Sequence, residues 1–452
     1  MTCAGTHPAA PQPIPDVPPK TALILAALAF LAVLSYWPLL AGQPFIADDY
    51  DNLWKARFYA PVSGWKALSA DPVHFFRPVL LFPTYWLDRL FGPWPPAFYA
   101  FSIFLHIAVT WLIYALGNWE WIGRRISAPA AAFFAVQEGH QEAVMWYSAA
   151  YELFLAFFLL AGFLAWISWL KNSEPRPGLH TAALLCFLLA LASKESAVMM
   201  IPLLLLPLGV EPAWRRRGLR GLPPFLVLAA AWYGWMFFGP ARYPRLGDGS
   251  FSLRAPFAET WLNSFARLLW PYGLLALIVL LLLRERRQIP RLAFAAAWIA
   301  IALAPYCFLL YMPRIPSRQT YLASIGLSWI LAAAFVSLWD RYPARRKAVA
   351  VAFALVLALN IGYLWTRKRS QYLERARPTQ ALIEFGRKNP GPVRVVRFPY
   401  PQAVALGAWV IGAQRPAGEL SWEIEGGPPQ GLWDFRFATL GQASADPPPA
   451  TR

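Results

Sequence analysis

Long apolar runs recur along the whole chain, and they restrict its fold more than any other feature. A helix needs about 20 mostly apolar residues to cross the hydrocarbon core of a bilayer. We identify eleven such runs, at 21–41, 97–117, 128–147, 149–170, 181–193, 196–209, 222–239, 265–283, 292–311, 321–339 and 349–366. The fifth and sixth are short and meet at Ser193-Lys194-Glu195, where we expect two helices because a charged pair at the bilayer centre is unfavourable. The sequence therefore predicts an all-α polytopic membrane protein with about 11 transmembrane helices.

Composition supports this class and excludes soluble ones. Hydrophobic residues make up 58% of the 452 residues, and charged residues make up only 14%. A soluble surface needs roughly 25% charged residues, so lipid must solvate most of this chain. The net charge of +17 would suggest nucleic acid in a soluble protein. Here the positive-inside rule explains much of it, and we predict no nucleic-acid partner.

Basic residues occur in every second loop, as the positive-inside rule requires. With the N-terminus inside, the inner loops carry Arg124, Arg125, Lys171, Arg176, Arg215, Arg216, Arg217, Arg220, Arg284, Arg286, Arg287, Arg291, Arg341, Arg345, Arg346 and Lys347. The outer side then receives 42–96, the Lys194-Glu195 turn, 240–264, 313–320 and the tail. Arg367-Lys368-Arg369 falls outside under this topology and argues against it.

The chain divides into three parts. Residues 1–20 are rich in Pro and are predicted to be flexible. Residues 21–369 form the transmembrane domain, which includes a long first outer loop at 42–96. Residues 370–452 form a small extracytoplasmic tail, either an α/β unit or a partly ordered extension. Its predicted elements are a helix at 378–388 and strands at 393–398, 420–424 and 433–439.

Ionisable side chains near the ends of apolar runs are candidate functional residues, because a membrane environment penalises them. Under the predicted topology, several such groups meet on the outer side. Asp48 and Asp49 follow the first span. One of them could act as a general base while the other orients it or holds a metal. Alternatively, Asp49 caps a helix that runs through Trp54 and Arg57.

A second candidate cluster lies in the third apolar run. Glu138 and Glu142 are four residues apart and would share a helix face. His140 would face away from both, unless Gly139 breaks the helix. Three ionisable groups together favour a functional role over a satisfied polar patch at a helix end.

Three further positions each admit two interpretations, which for His106 are a catalytic role and a structural one. Lys194 and Glu195 could close a turn as an ion pair or could contact substrate. Arg318, shortly before Tyr321, could bind phosphate through its planar guanidinium or could lie at the membrane interface. His106 stands alone in an apolar span, and we expect it to be hydrogen-bonded to a neighbouring helix.

Five short motifs follow one another through the membrane part of the chain. They are I-A-D-D-Y at 46–50, Arg77-Pro78 continuing to G-P-W-P-P and to F-L-H at His106, G-H-Q-E-A-V at 139–144 continuing to Y-E-L at 151–153, L-A-S-K-E-S at 191–196, and S-R-Q-T-Y-L-A-S-I-G-L at 317–327. In this order they resemble the GT-C superfamily of integral-membrane glycosyltransferases. The likeness is greatest to bacterial relatives of the transmembrane O-mannosyltransferases that carry tetratricopeptide repeats. Gln137-Glu138 departs from the His-Pro that is frequent there, and no tetratricopeptide tail follows.

The resemblance implies a GT-C-like fold and an inverting, mannosyltransferase-like enzyme that moves a sugar from a polyprenyl-phosphate donor to an acceptor. The implied catalytic residues are Asp49 and, slightly less preferred, Asp48, one of which would deprotonate the acceptor hydroxyl. The implied substrate-binding and phosphate-binding residues are Arg318, Lys194, His140, Glu142, Glu138, Arg77, Glu195 and Tyr321. Superfamily members differ in needing a divalent metal such as Mg²⁺ or Mn²⁺, and the sequence predicts no definite cofactor.

Two other function classes stay open at this stage. A transporter or flippase of lipid-linked sugars would place polar groups near the bilayer midplane, whereas these groups cluster at one face. A non-catalytic subunit of envelope-polymer assembly would not need acidic and basic groups around one cavity. The expected location is the bacterial inner membrane, with the active site facing the periplasm. The expected partners are the lipid-linked donor, membrane lipid, and an acceptor that could be a protein, a lipid or a glycan.

Overall fold

A computed structural model describes residues 19–58, 75–172, 174, 176–239, 250–310, 315–422 and 435–439. The N-terminal segment to residue 18 lies outside these ranges, as do part of the first outer loop, the start of the 240–264 loop and Arg314.

Helices in the first half of the chain lie on the predicted apolar runs and, as α2 and α3, in the first outer loop. They are α1 (Pro19–Leu40), α2 (Asp48–Phe58), α3 (Leu81–Phe91), α4 (Pro95–Ala115), α5 (Arg124–Val136), α6 (Gln141–Met145), α7 (Tyr151–Lys171), α8 (Pro177–Ser193) and α9 (Met200–Val210). Proline in the first turn starts α4 and α8, where its missing N–H removes no intrahelical bond.

The second half continues the helical bundle and ends in a small sheet. Its helices are α10 (Arg215–Gly221), α11 (Pro223–Phe238), α12 (Phe257–Leu269), α13 (Tyr272–Leu282), α14 (Ile289–Leu303), α15 (Ser324–Arg341), α16 (Arg346–Tyr363), α17 (Arg369–Lys388) and α18 (Gln402–Gly407). Its strands are β1 (Val393–Arg397), β2 (Leu420–Trp422) and β3 (Arg436–Thr439).

The long helices pack side by side, so their ends gather at two opposite ends of the bundle. At one end, the Trp119 ring lies 6.0 Å from that of Trp214, and Trp121 lies 4.8 Å from Phe294. We call this the basic end, because the predicted inner loops meet there. At the other end, Lys194 after α8 reaches Glu152 at the start of α7. We call this second end the site end.

Five helices among the described residues are long and apolar enough to cross a membrane, or up to seven if each bent pair counts as one span. The chain is therefore an integral membrane protein. The predicted count of eleven spans stays a prediction. The expected break around Lys194 is confirmed: α8 ends at Ser193, Lys194 is extended, and a 3₁₀ turn at Glu195–Met199 leads into α9.

The predicted third span needs a correction. Helix α5 ends at Val136, before the acidic residues that the prediction placed on it. Glu138–His140 form a 3₁₀ turn, and Glu142 lies on the short helix α6. The prediction of a shared helix face for Glu138 and Glu142 was therefore wrong. Instead, this broken segment directs each side chain to a different neighbour.

The tail contains the predicted small sheet. Strand β1 pairs in parallel with β2 and antiparallel with β3, giving the order β2-β1-β3. The predicted helix at 378–388 begins earlier, because one continuous helical stretch runs from Pro343 to Lys388 through a π-turn at Leu364–Lys368. The proposed boundary between residues 369 and 370 thus falls inside a helix.

The tail packs directly on α2. Gly407 lies so close to it that an added Cβ would stand 2.4 Å from the carbonyl oxygen of Tyr50. From α17, the Tyr372 hydroxyl donates to the Pro44 carbonyl at 2.6 Å and contacts the Tyr99 hydroxyl. The tail therefore fixes the position of the helix that carries the two predicted catalytic aspartates.

Candidate active site

A polar cavity of about 290 Å³ opens at the site end of the bundle. Four basic and three acidic side chains are among the residues that line it. Its lining residues are Asp48, Asp51, Asn52, Lys55, Arg77, Trp146, Ser148, Ala149, Tyr151, Glu152, Lys194, Arg318 and Gln319. They come from α2, from the segments before α3, α7 and α15, and from the break after α8. Regions far apart in the chain thus meet around one water-accessible space.

Helix α2 places Asp48 on the cavity wall. Its first turn holds Asp48, Asp49 and Asp51, and its last turn holds Lys55 and Arg57. This order matches the helix dipole, whose positive end favours acids and whose negative end favours bases. Asp51 and Lys55 form an ion pair at 2.8 Å within that wall.

Asp49 is not among the residues that line the cavity, and it is fully buried. Its carboxylate accepts hydrogen bonds from the Ile46 N–H at 3.1 Å and from the N–H and hydroxyl of Ser148 at 2.7 and 2.8 Å. Burial raises the pKa of Asp49 to about 7, although these hydrogen bonds act in the opposite direction. Asp49 therefore joins the start of α2 to the segment before α7.

Lys194 and Glu152 form a buried ion pair at the base of the cavity, with side-chain exposures of 7% and 4%. The Tyr306 hydroxyl donates to Glu152 at 3.1 Å, and the Tyr306 ring lies 4.7 Å from the Lys194 ammonium. Glu152 was not among the predicted site residues. Its signal was present in the Y-E-L motif, as a carboxylate in the first turn of an otherwise apolar helix.

Arg77 and Glu195 form a second ion pair on the cavity wall. The guanidinium donates to both carboxylate oxygens, from Nε at 2.9 Å and from Nη2 at 2.6 Å. Such a fork is geometrically specific. The Tyr233 hydroxyl also donates to the Glu195 carbonyl. The predicted ion pair joined Lys194 to Glu195, whereas the structure pairs Glu195 with Arg77 and Lys194 with Glu152. The contact with Glu195 fixes Arg77 beside the cavity.

Glu142 anchors Arg318 from outside the cavity. Its carboxylate accepts from the Ser317 hydroxyl at 2.8 Å and from the Arg318 N–H at 3.1 Å, and it pairs with Arg375 of α17 at 2.7 Å. Burial raises the pKa of Glu142, but Arg375 and Arg318 outweigh that effect and hold it at about 2. The Arg318 guanidinium lies 5.1 Å from the centre of the Trp146 ring. Arg375 was not predicted, because nothing distinguishes it from the other basic residues of the tail helix.

Three other predicted residues do not line the polar cavity. His140 is buried, with its Nε2 2.6 Å from the Ser324 hydroxyl. Tyr321 packs 4.6 Å from the His140 ring, and its hydroxyl lies 2.6 Å from Nδ1 of His106. Glu138 pairs with Lys368 at 2.9 Å. This group supports the start of α15 and the end of α16 from behind the site.

An apolar groove of about 580 Å³ adjoins the polar cavity. Lys194 and Gln319 line both spaces and so mark their junction. The groove is lined mainly by apolar side chains such as Met199, Met236 and Phe308. A molecule with a charged head and a long hydrocarbon chain would match the pair of spaces, with its head at Lys194.

The acidic residues do not form a metal centre in the part of the chain that the structure describes. No three His, Cys, Asp or Glu side chains group there as metal ligands. In the polar cavity, Lys55 pairs with Asp51 and Lys194 pairs with Glu152, so these carboxylates already have cationic partners.

Comparison with known proteins identifies the fold. No known family profile matches the chain, and no curated protein matches it by sequence. The chain is similar to the crystal structure of ArnT from Cupriavidus metallidurans bound to undecaprenyl phosphate, with a TM-score of 0.51 and 14% identity over 89% of each chain. The same protein in the apo state gives a TM-score of 0.47 and 13% identity, over 88% of this chain and 84% of that one.

At this level of identity, the likeness to the first structure concerns the fold alone. It agrees with the resemblance that the motifs indicated. The chain is thus a polytopic, predominantly helical membrane protein with the GT-C-like fold of ArnT.

Proposed function

We propose that this protein is a glycosyltransferase that moves a sugar from a polyprenyl-phosphate donor to an acceptor hydroxyl. One observation carries the proposal. A cavity lined by the Asp48 carboxylate and by four cationic side chains joins, at Lys194, an apolar groove of about 580 Å³. The similar ArnT structure is described as bound to undecaprenyl phosphate, which supports a donor of this chemical class.

The donor would lie across the junction of the two spaces. Its prenyl chain would occupy the apolar groove, and its phosphate would lie near Lys194 and Arg318. Guanidinium and ammonium groups held by other contacts before the donor binds do not need to reorganise as negative charge develops, which is the basis of electrostatic catalysis. Glu142 and Trp146 hold Arg318, and Glu152 holds Lys194.

We assign the general base to Asp48, because it lines the polar cavity whereas Asp49 is fully buried and bound to Ser148. Asp48 would take the proton of the acceptor hydroxyl as its oxygen forms a bond to C1 of the sugar. The bond from C1 to the phosphate oxygen breaks with inversion, and the electron pair leaves on the lipid phosphate. Arg318 and Lys194 stabilise that charge, and Asp48 later releases its proton to water.

Transfer of a radiolabelled sugar tests the proposal. The purified full chain in liposomes is given a panel of polyprenyl-phosphate sugars, with bacterial membrane extract as the acceptor source. We expect the Asp48→Asn variant to lose at least about 100-fold in transfer rate, as removal of a positioned base does. Arg318→Ala should lose about 10²–10³-fold, the range found when one charge-stabilising donor is removed.

The Asp49→Asn variant distinguishes the role of Asp49 from that of Asp48. Under the proposal it lowers transfer through a displaced α2, and so less than Asp48→Asn does. A greater loss in Asp49→Asn than in Asp48→Asn, with both variants folded, would move the base to Asp49. Transfer unaffected by all three substitutions would remove this site assignment.

We further propose that the site faces the periplasm of a bacterial inner membrane, which cysteine labelling of the site end in intact cells would test.

A further inference from the structure

A second polar pocket, of about 550 Å³, lies at the basic end of the bundle, opposite the proposed active site. It is lined by Trp169, His180, Ala213, Gly221 and three arginines, Arg216, Arg217 and Arg220. Positive charge in an inner loop is expected from the positive-inside rule alone. A concave pocket that gathers three guanidinium groups goes beyond what that rule requires.

The floor of this basic pocket is rigidly packed. Arg217 lies 4.6 Å from the centre of the Trp169 ring and donates to the Asn172 carbonyl. The His180 ring lies 4.8 Å from that of Trp169 at an interplanar angle of 47°, and its Nε2 is 2.9 Å from the Gly221 carbonyl oxygen. Gly221 approaches so closely that an added Cβ would stand 2.7 Å from Cη2 of Trp169. One cation is therefore held in place before any ligand binds.

The other two cations are available to a ligand. Arg216 and Arg220 are exposed and lie four residues apart, on the same face of α10. Within the described part of the chain, neither forms an ion pair with an acidic side chain. Planar guanidinium groups that converge from three positions are well suited to the oxygens of a phosphate.

Exposed apolar side chains lie near these arginines in the chain. Leu219 of α10 lies between Arg217 and Arg220, Leu226 and Val227 lie on α11, and the three are 59%, 53% and 68% exposed. A phosphate held by the arginines would therefore have hydrocarbon-compatible surface beside it. Basic pockets between helices at a membrane face are a recurring binding site for anionic lipid head groups.

We propose that this basic pocket binds a phosphate group, either that of an anionic phospholipid head group or free phosphate. The site is separate from the proposed transfer reaction, because its residues lie at the opposite end of the bundle. Arg217, held by Trp169, supplies the fixed contact, and Arg216 and Arg220 close on the phosphate from the exposed side.

Binding of two probes to the purified full chain in detergent tests the proposal. Native mass spectrometry measures the retention of phosphatidylglycerol against phosphatidylcholine, and titration calorimetry measures the binding of inorganic phosphate. The Arg216→Gln/Arg220→Gln variant is compared with Arg286→Gln/Arg287→Gln. The control pair removes the same charge from another exposed turn at the basic end.

We expect the Arg216→Gln/Arg220→Gln variant to bind its phosphate ligand about 25-fold more weakly than the wild type does. This corresponds to about 1 kcal/mol of binding free energy for each arginine. The control variant should stay within about twofold of the wild type. If phosphatidylglycerol shows this pattern, the ligand is a lipid head group, and if only inorganic phosphate shows it, the ligand is a free phosphate. If both variants bind equally weakly, binding depends on the general surface charge and not on this pocket, and the proposal is wrong. Equal binding by all three proteins would also overturn it.

Discussion

The buried carboxyl of Asp49 predicts that the protein loses stability as pH rises. Burial raises its pKa from 3.8 to about 7. A group with a higher pKa in the folded state binds its proton more tightly there, so its stabilisation is full below about pH 4 and is lost as pH rises through about 7. The difference between the two pKa values corresponds to roughly 4 kcal/mol. About 2.5 kcal/mol of it is lost between pH 5 and pH 8.

Thermal unfolding of the full chain in detergent at pH 5 and pH 8 measures this loss. For a chain of this length, about 2.5 kcal/mol corresponds to roughly 3 °C in Tm. The wild-type Tm should therefore fall by roughly 3 °C more between the two pH values than that of Asp49→Asn, which lacks the titrating group. Asp48→Asn is the comparison variant, and we expect it to keep most of the wild-type pH dependence, because burial is the largest cause of the raised Asp49 pKa and the charge of Asp48 is the smallest.

The difference between the two pH values is the informative quantity. An amide at position 49 turns its NH₂ group toward a donor, either the Ile46 N–H or those of Ser148, so Asp49→Asn loses stability at both pH values. If Asp49→Asn shows the same pH-dependent fall as the wild type, Asp49 does not titrate in this range. The reasoning from its burial would then be wrong.

Three other perturbations have defined outcomes. Glu142→Gln should lower the free energy of unfolding by about 2 kcal/mol, because it leaves Arg375 without its partner in a part-buried site, as thermal unfolding would show. Lys194→Met should reduce sugar transfer by at least about 100-fold and also lower stability, because it leaves Glu152 buried and uncompensated. Gly407→Ala should weaken the contact of the tail with α2, which limited proteolysis and transfer assays would detect as faster cleavage and slower turnover.

Each of these perturbations has a matched control. Glu384→Gln breaks the exposed pair with Lys388 and should leave stability close to that of the wild type, because water screens an exposed ion pair; an equal effect at Glu142 would contradict the first prediction. Adding Glu152→Gln to Lys194→Met removes the uncompensated charge, so it should restore stability but not sugar transfer. If sugar transfer is restored as well, the Lys194 ammonium has no catalytic role. Gly418→Ala adds a Cβ in open space and should match the wild type. Equal proteolysis of the two alanine variants would contradict the packing argument.

A local pattern predicted one structural feature beside the candidate site. The charged residues between two short apolar runs predicted the helix break at Lys194, because a charged pair is unfavourable within a span. Asp48 and Asp49 were both identified as candidates, but the sequence could not predict which of them lines the cavity and which is buried. Adjacent residues on a helix point in different directions, and only packing against Ser148 decides which of the two is buried.

Other features depend on contacts between distant parts of the chain. Arg375 has no local signal, because its partner Glu142 lies on a different element more than two hundred residues earlier. The third apolar run is similarly ambiguous. Its composition allowed a continuous helix to residue 147, whereas the helix ends at Val136. Beyond this point, His140 forms a hydrogen bond with Ser324, and Glu142 accepts one from Ser317.

The sequence by itself determined that the chain is a helical membrane protein, because the transfer of apolar surface out of water depends on composition and run length and needs no knowledge of neighbours. The motifs, in their order, also indicated the GT-C-like fold. Tertiary structure alone decided that Asp48 lies on the polar cavity, that Lys194 joins this cavity to an apolar groove, and that the tail supplies Arg375. The physical reason is that hydrogen bonds and ion pairs act over a few ångströms, so their partners are known only once packing has brought distant segments together.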